Sequence, residues 1–344
     1  MTALDTAVFE RYWNALADGD TPAAVSTVLA ALDAGAELPD LLEDVVCAAQ
    51  AEVGRRWAAN EWNVAQEHRA TSISEEAVAA LSARAAREQE HSRGEVVITC
   101  ADGEFHSLPS RVLAAALRHA GWRVTYLGAS VPTRHLSALL HDLGPDATLL
   151  SCALPLRLFR AREVIEASRA AGVPVLVGGR GFGPQGRWGL TLGADGWAPD
   201  TRRTVTAITR DLPAFAEPAP PLQRPDDALE RLRAARTEVA ATAMTRMATR
   251  LADVAAYDDR QRARTEEDVD FILDYLAAAL YVDDVALFTD FVAWLTPLLT
   301  ARGVPATTVA TGLDVVAESV AEHCGPLPRA AAILTAGRET VAGS

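Results

Sequence analysis

Two periodicities divide the chain. From residue 5 to about 90, apolar positions recur at helical spacing, as in Val8, Tyr12 and Leu16 and again in Val25, Val28, Leu29 and Leu32. Gly19-Asp20-Thr21-Pro22 and Leu38-Pro39-Asp40 punctuate this region, with Asp20 or Thr21 and Asp40 standing as helix caps. The Ala-, Glu- and Arg-rich run from Thr71 to Glu90 closes what reads as a four-helix bundle. From Gly94 short apolar runs take over, at 95–100, 123–127, 147–154 and 174–178, with a weaker one near 195–198. Amphipathic stretches near 110–120, 133–142, 157–171 and 201–211 alternate with them. Strand and helix in alternation predict right-handed crossovers and a parallel, doubly wound, Rossmann-like sheet. The connections after Gly103 and Gly128 then share one rim, the rim where such sheets bind ligands.

Residues 212–226 form a proline-rich linker. Beyond it the pattern is helical again. Leu229, Leu232, Val239, Met247, Leu251 and Val254 fall on one face, and Thr265-Glu266-Glu267-Asp268 has the look of a capping box before Phe271 and Ile272. Asp283-Asp284 opens a further helix with Val285 and Phe288. The reading is multidomain: a helical bundle (1–92), a Rossmann-like α/β domain (93–211), a linker (212–226) and an all-α domain (227–344).

Charge and composition narrow the chemistry. A net charge of −14 argues against nucleic acid as a direct partner. No apolar run is long enough to span a bilayer and no leader pattern is evident, which makes the cytoplasm the expected compartment. Cys47, Cys100, Cys152 and Cys324 lie too far apart for a paired zinc motif. There is no lysine, so Schiff-base cofactors and a P-loop are excluded.

The densest chemistry follows the first apolar run. In Glu104-Phe105-His106-Ser107-Leu108-Pro109 an imidazole stands at a strand's carboxyl end, and an acid two residues earlier is placed to fix its tautomer. The third run ends in Ser151-Cys152-Ala153-Leu154 and the fourth in Gly178-Gly179-Arg180. Gly181-x-Gly183-x-x-Gly186 matches a dinucleotide fingerprint only formally, since it follows a late strand, and it reads better as a flexible loop extending the Gly178-Gly179 region. His119, His135 and His141 sit on surface helices and His91 in a charged connection, and all read as solvated side chains.

Glu-x-His-x-x-Pro, then Ser151, then Gly178-Gly179 resembles the cobalamin-binding domain of methionine synthase, the mutases and CarH-type light-sensing regulators. The resemblance implies that His106 ligates cobalt from below and that Ser151, Gly178 and Gly179 line a slot for the displaced nucleotide tail. Further cobalamin contacts would come from Glu104, Phe105, Ser107 and Leu108, from Gly128, and from Ala153, Leu154 and Arg180. Two positions depart from the family: Pro109 stands where Gly is usual, and Ala153 where Leu is common.

Trp57 followed by Glu67-His68, read as lying on one helix about three turns apart, looks alone like a half-buried indole and a solvated pair. It also resembles the CarH-type cap over the upper face of adenosylcobalamin. The histidine that follows the Trp in that family is Ala58 here, so after light-driven loss of the adenosyl group water or His68 would take the upper position.

In the C-terminal region Tyr275, Tyr281, Phe288, Phe291 and Trp294 recur at helical spacing, which fits either a core or the wall of a flat chromophore. The helical order resembles the globin-like, bilin-binding domain of photocobilins. That implies biliverdin as a second cofactor, with Asp274, Tyr275, Trp294, Arg302 and His323 near it. The resulting expectation is a non-enzymatic photoreceptor that signals by changing its homo-oligomeric state or through a separate protein. A corrinoid methyl carrier of a methyltransferase system and a cofactor-free scaffold are the alternatives.

Overall fold

The computed structural model describes residues 3–85, 93–210, 212 and 226–343. The chain divides between Ala219 and Pro220 into two compact units.

In the first unit, helices α1 (Ala3–Asp18), α2 (Thr21–Asp33), α3 (Leu38–Asp40), α4 (Ala48–Ala58) and α5 (Val64–Ala85) build the bundle, with the π-helical segment Leu41–Cys47 joining α3 to α4. Tyr12, Leu16, Val28, Leu42, Val53 and Leu81 fill its core. Asp20 caps α2 by accepting from the Ala23 N–H at 2.9 Å. Asp40 does not act as a cap. Pro39 opens the first turn of α3, so Glu37 holds the cap position and the Asp40 carboxylate is left to meet Arg202 at 2.9 Å.

Strands β1 (Glu95–Cys100), β2 (Arg123–Gly128), β3 (Ala147–Ser151), β4 (Val175–Gly178) and β5 (Gly196–Trp197) form one sheet in the order β2-β1-β3-β4-β5. All pairings are parallel, and Cys100, Ser151 and Gly178 stand side by side at the carboxyl ends. The order reverses between β1 and β3, which opens a crevice above that junction. Helices α6 (Leu108–His119), α7 (Thr133–Leu143), α8 (Leu158–Ala170), α9 (Arg187–Thr191) and α10 (Thr201–Arg210) make the crossovers.

The expected boundary at residues 92/93 separates elements but not cores. Leu108, Val112, Ala115 and Ala116 of α6 are buried in the bundle's apolar cluster, while Ala114 and Leu117 of the same helix are buried against the sheet. The loop expected at Gly181–Gly186 is folded into two 3₁₀ turns, Arg180–Phe182 and Pro184–Gly186. Its glycines serve packing: a Cβ on Gly186 would lie 2.1 Å from the Trp197 ring. Gly186 also opens only the five-residue α9, too little to make a dinucleotide site.

The second unit is all-helical: α11 (Ala228–Ala234), α12 (Arg236–Arg250), α13 (Ala252–Ala255), α14 (Asp259–Val282), α15 (Val285–Thr300), α16 (Ala306–Cys324) and α17 (Pro328–Gly343). The linker, apart from Leu212 and Asp226, and His91 lie outside the described residues. The capping box is Asp258–Gln261 rather than Thr265–Asp268, because the earlier pair satisfies both backbone donors and starts α14 seven residues upstream of the expected cap. Asp284 caps α15 as expected, accepting from the Ala286 N–H at 3.0 Å.

Candidate functional site

The crevice above the β1/β3 junction is organised by one buried carboxylate. Glu104 is buried. Its Oε1 accepts from the backbone N–H of His106 at 2.9 Å and lies 2.5 Å from His106 Nδ1. Its Oε2 accepts from the N–H groups of Ala153 at 2.8 Å and Leu154 at 3.2 Å, across the crevice on the β3 loop. Burial alone would push this carboxyl up, but the hydrogen bonds from the His106 ring and from the His106 and Ala153 backbones outweigh it and hold the group at about 2. A carboxylate so held is the acceptor for an Nδ1–H, which leaves Nε2 of a neutral ring as its free lone pair. The His106 side chain is 56% exposed, while that of Glu104 is 1% exposed. The imidazole therefore stands outward on a fixed, buried base.

The neighbouring loops are tied to the same base. Ser130 donates its N–H to the Glu104 carbonyl at 3.0 Å, and its hydroxyl accepts from the Gly103 N–H at 3.0 Å, so the loops after β1 and β2 form one rim. Gly128 ends β2 beside Thr99 with φ +77°. Phe105 is 73% exposed next to His106, so most of its apolar side chain is left uncovered by the described residues. Ser107 sits at the start of α6, where Pro109 occupies the first turn without losing a needed hydrogen bond. The Ser107 hydroxyl donates to Glu75 Oε1 of α5 at 3.0 Å. Leu108 is buried in the bundle core.

Beside the histidine a cavity of about 140 Å³ opens between the strand ends and helices α6 and α10. Ser151, Gly178 and Gly179 line it together with Pro109, Ser110 and Thr204. Gly179 is obligatory, since its φ is +103° and a Cβ there would lie 2.3 Å from the Cys152 carbonyl oxygen. Ala153 and Leu154 enter the site through their backbone N–H groups, so the Leu-to-Ala departure at 153 leaves the observed hydrogen bond intact. Arg180 is exposed just beyond Gly179.

Trp57 and Glu67 do not share a helix. Trp57 is in the last turn of α4 and Glu67 in the first turn of α5, on either side of a turn at 59–63 where Asn60 adopts φ +58°. The Asn63–Gln66 capping box starts α5, with reciprocal hydrogen bonds of 2.9 and 3.0 Å. Glu67 is held by the Thr71 hydroxyl at 3.1 Å, and its negative charge adds to the pull that raises His106, after the dominant hydrogen bond from Glu104. His68 is 76% exposed, 3.7 Å from Glu67. The spacing of Glu67, Thr71 and Glu75 along one face of α5 was available in the sequence. It marks the face turned to the His106 loop, and Glu75 was missed.

The C-terminal candidates are held by separate partners. Asp274 is engaged by Arg236, and His323 Nε2 lies 2.8 Å from the Thr242 hydroxyl. Tyr275 is stacked on Phe291 at 3.8 Å between ring centres. Arg302 donates to the Leu298 carbonyl at 2.9 Å. Tyr275, Tyr281, Phe288 and Phe291 are core residues, and of the five aromatics Trp294, at 47%, is the exposed one.

Two family models, each described as a B12 binding domain, match this chain, one over residues 8–82 and one over 94–206. The chain carries both B12-binding domains. A corrinoid protein of Desulfitobacterium hafniense (strain Y51) is 25% identical over 193 residues, which is 54% of this chain and 88% of the relative. Among solved structures, the monomethylamine corrinoid protein of Methanosarcina barkeri superposes with a TM-score of 0.52 at 17% identity, covering 60% of this chain and 99% of that one. That likeness is one of fold. The matched ranges coincide with the bundle and the sheet and stop short of the C-terminal helices, and nothing in these comparisons supports a globin-like or light-sensing identity. No helix among the described residues is long and apolar enough to cross a membrane, and no cluster of three or more His, Cys, Asp or Glu side chains is placed to hold a metal.

Proposed function

We propose that the first unit binds a corrinoid with its nucleotide tail displaced, His106 Nε2 serving as the lower cobalt ligand and the Ser151/Gly178/Gly179 cavity receiving the tail. The observation that carries this reading is the Glu104–His106 pair, which fixes one tautomer and turns the other ring nitrogen outward above the strand ends. The apolar cavity beside it fits a flat heteroaromatic tail, and Phe105 offers an uncovered apolar surface to the macrocycle. When bound, the corrinoid supplies a cobalt–carbon bond whose alkyl group is handed on or released. The chain's own part is to hold the ring nitrogen, seat the tail and cover the upper face with the bundle.

The use best supported is that of a methyl carrier serving a methyltransferase partner. A corrinoid protein of D. hafniense matches this chain over 193 residues, and Ala58 removes the histidine that a CarH-type light response employs. Light sensing with adenosylcobalamin is kept as a second reading because Trp57, Glu67 and His68 flank one turn and Glu67 exerts its charge on His106. Biliverdin binding by a globin-like C-terminal region belongs to that second reading and draws on Trp294 and Arg302.

The test is to load the purified chain separately with methyl- and adenosylcobalamin. Both readings require a spectrum with histidine on and the tail base off, lost in His106→Ala. Methyl transfer to a partner without any response to blue-green light supports the carrier. A light-driven change in the mass of the adenosylcobalamin form, and new red absorbance on adding biliverdin, support the sensor. A chain that takes up no corrinoid refutes both.

A further inference from the structure

One charged group beside the site leaves a buried donor without a partner among the described residues. Arg157 closes the 3₁₀ turn Pro155–Arg157, six residues beyond Ser151 on the loop that follows β3. Its Nε is buried and has no hydrogen-bond partner. None of the ion pairs among the described residues involves it, although acidic side chains outnumber basic ones by 46 to 32 along the chain. An N–H withheld from water without an acceptor costs free energy, and an arginine has little reason to accept that cost where a carboxylate is easy to recruit.

Nε itself is out of a ligand's reach, but Arg157 as a whole is half-buried, so a partner from outside would meet its Nη groups. The guanidinium lies close to Gly103, where a Cβ would be 3.1 Å from Nη1 and 3.3 Å from Cζ. Gly103 is three residues before His106, and the positive charge of Arg157 is felt at the His106 ring, where it opposes protonation. The group therefore sits beside the loop that carries His106. It does not line the tail cavity, which lies between the strand ends and helices α6 and α10.

A planar guanidinium presents donors only, so its ligand partner must offer acceptor oxygens. A corrinoid has two sources of these: amide carbonyls around the rim of the macrocycle, and the phosphodiester in its nucleotide tail. The separation of Arg157 from the tail cavity favours the rim. We propose that Arg157 is a corrinoid-binding residue that donates hydrogen bonds to a peripheral amide carbonyl of the macrocycle. The inference rests on the reading of His106 as the cobalt ligand.

The experiment titrates the full chain and its Arg157→Leu and Arg157→Lys variants with hydroxocobalamin and with cobinamide, which keeps the amides but lacks the tail. Arg157→Leu should weaken both ligands by about tenfold or more, the range for losing a charge-assisted hydrogen bond. Arg157→Lys should recover part of that loss. The melting temperature of the ligand-free chain and the histidine-on spectrum at saturation should match the parent, which separates contact from a structural role. Unchanged affinity for both ligands overturns the proposal, as does a loss confined to hydroxocobalamin, which would move the contact to the phosphodiester. A lowered melting temperature with a lost histidine-on spectrum overturns it in favour of a structural role. Failure of the parent to bind either ligand would refute the His106 reading and this inference with it, an outcome distinct from a parent that binds while the variant is unaffected.

Discussion

Glu104 is the side chain on which the crevice is built. It is buried, charged and fully engaged, with two hydrogen bonds to His106 and two to the β3 loop. Its native pKa of about 2 lies below the ordinary 4.5, so its stabilisation is present above the ordinary value and is lost as pH falls toward 2. Glu104→Gln puts an amide N–H₂ against backbone donors on one side or the other. It should cost about 2 kcal/mol or more in urea denaturation, because a buried donor is left facing donors. The same variant should bind cobalamin with a weakened histidine-on spectrum. A variant as stable as the parent, with an unchanged spectrum, would show that the carboxylate is dispensable. In the second unit Asp268 shows the opposite sign. Burial, with Glu267 adding to it and Arg302 and Arg264 opposing, raises its pKa from 3.8 to about 6. Folding takes up a proton there, so stability is fullest near pH 4, declines as pH rises to about 6 and is level beyond. Asp268→Asn should abolish that decline and raise the melting temperature at pH 7. If thermal scans from pH 4 to 7 show the same slope in parent and variant, the assignment of the slope to Asp268 is wrong.

At the scale of elements, the sheet was legible because each strand is a short apolar run ending in a small or polar residue, and the ends at Ser151 and Gly178 are the ones that frame the cavity. His106 was legible from the same rule, as a polar residue just beyond β1. Less legible were starts set by reciprocal side-chain bonds. Thr265–Asp268 satisfies the capping-box pattern as well as Asp258–Gln261 does, and only the chain's path decides between them. The break between α4 and α5 was missed for a related reason. Arg55, Arg56 and Glu61 look like a continuing charged helix, yet Trp62 is pulled down to stack on Trp13 at 5.4 Å, with the Arg56 guanidinium 4.7 Å above Trp13. That aromatic contact links residues 49 positions apart, and no local pattern announces it. The turn it fixes separates Trp57 from Glu67 and places the two on different helices.

The whole first unit behaves as one body by its packing. Helix α6 is Ala-rich, which hides from the sequence that it is buried on both sides, against the bundle through Leu108 and Val112 and against the sheet through Ala114 and Leu117. Arg202 of α10 adds hydrogen bonds to Asp40 and Asp44, each at 2.9 Å, although exposed ion pairs of this kind contribute at most about 1 kcal/mol each. The apolar surface that α6 buries on both sides holds bundle and sheet together more strongly than these pairs do. Bundle and sheet should therefore lose hydrogen-exchange protection together as denaturant rises, and Val112→Asp should lower protection in both. Separate transitions for residues 3–85 and 93–210 would contradict a shared core. The central claim concerns a single bond, from His106 to cobalt, and electron paramagnetic resonance of the chain loaded with paramagnetic cobalt(II) cobalamin reads it directly. Protein grown on nitrogen-15 and loaded with unlabelled cobalamin should show each cobalt line split in two by the imidazole nitrogen, and His106→Ala should remove that splitting. A three-line splitting that persists in the labelled protein would mean that the cofactor's own base still holds the metal, and the account would fall.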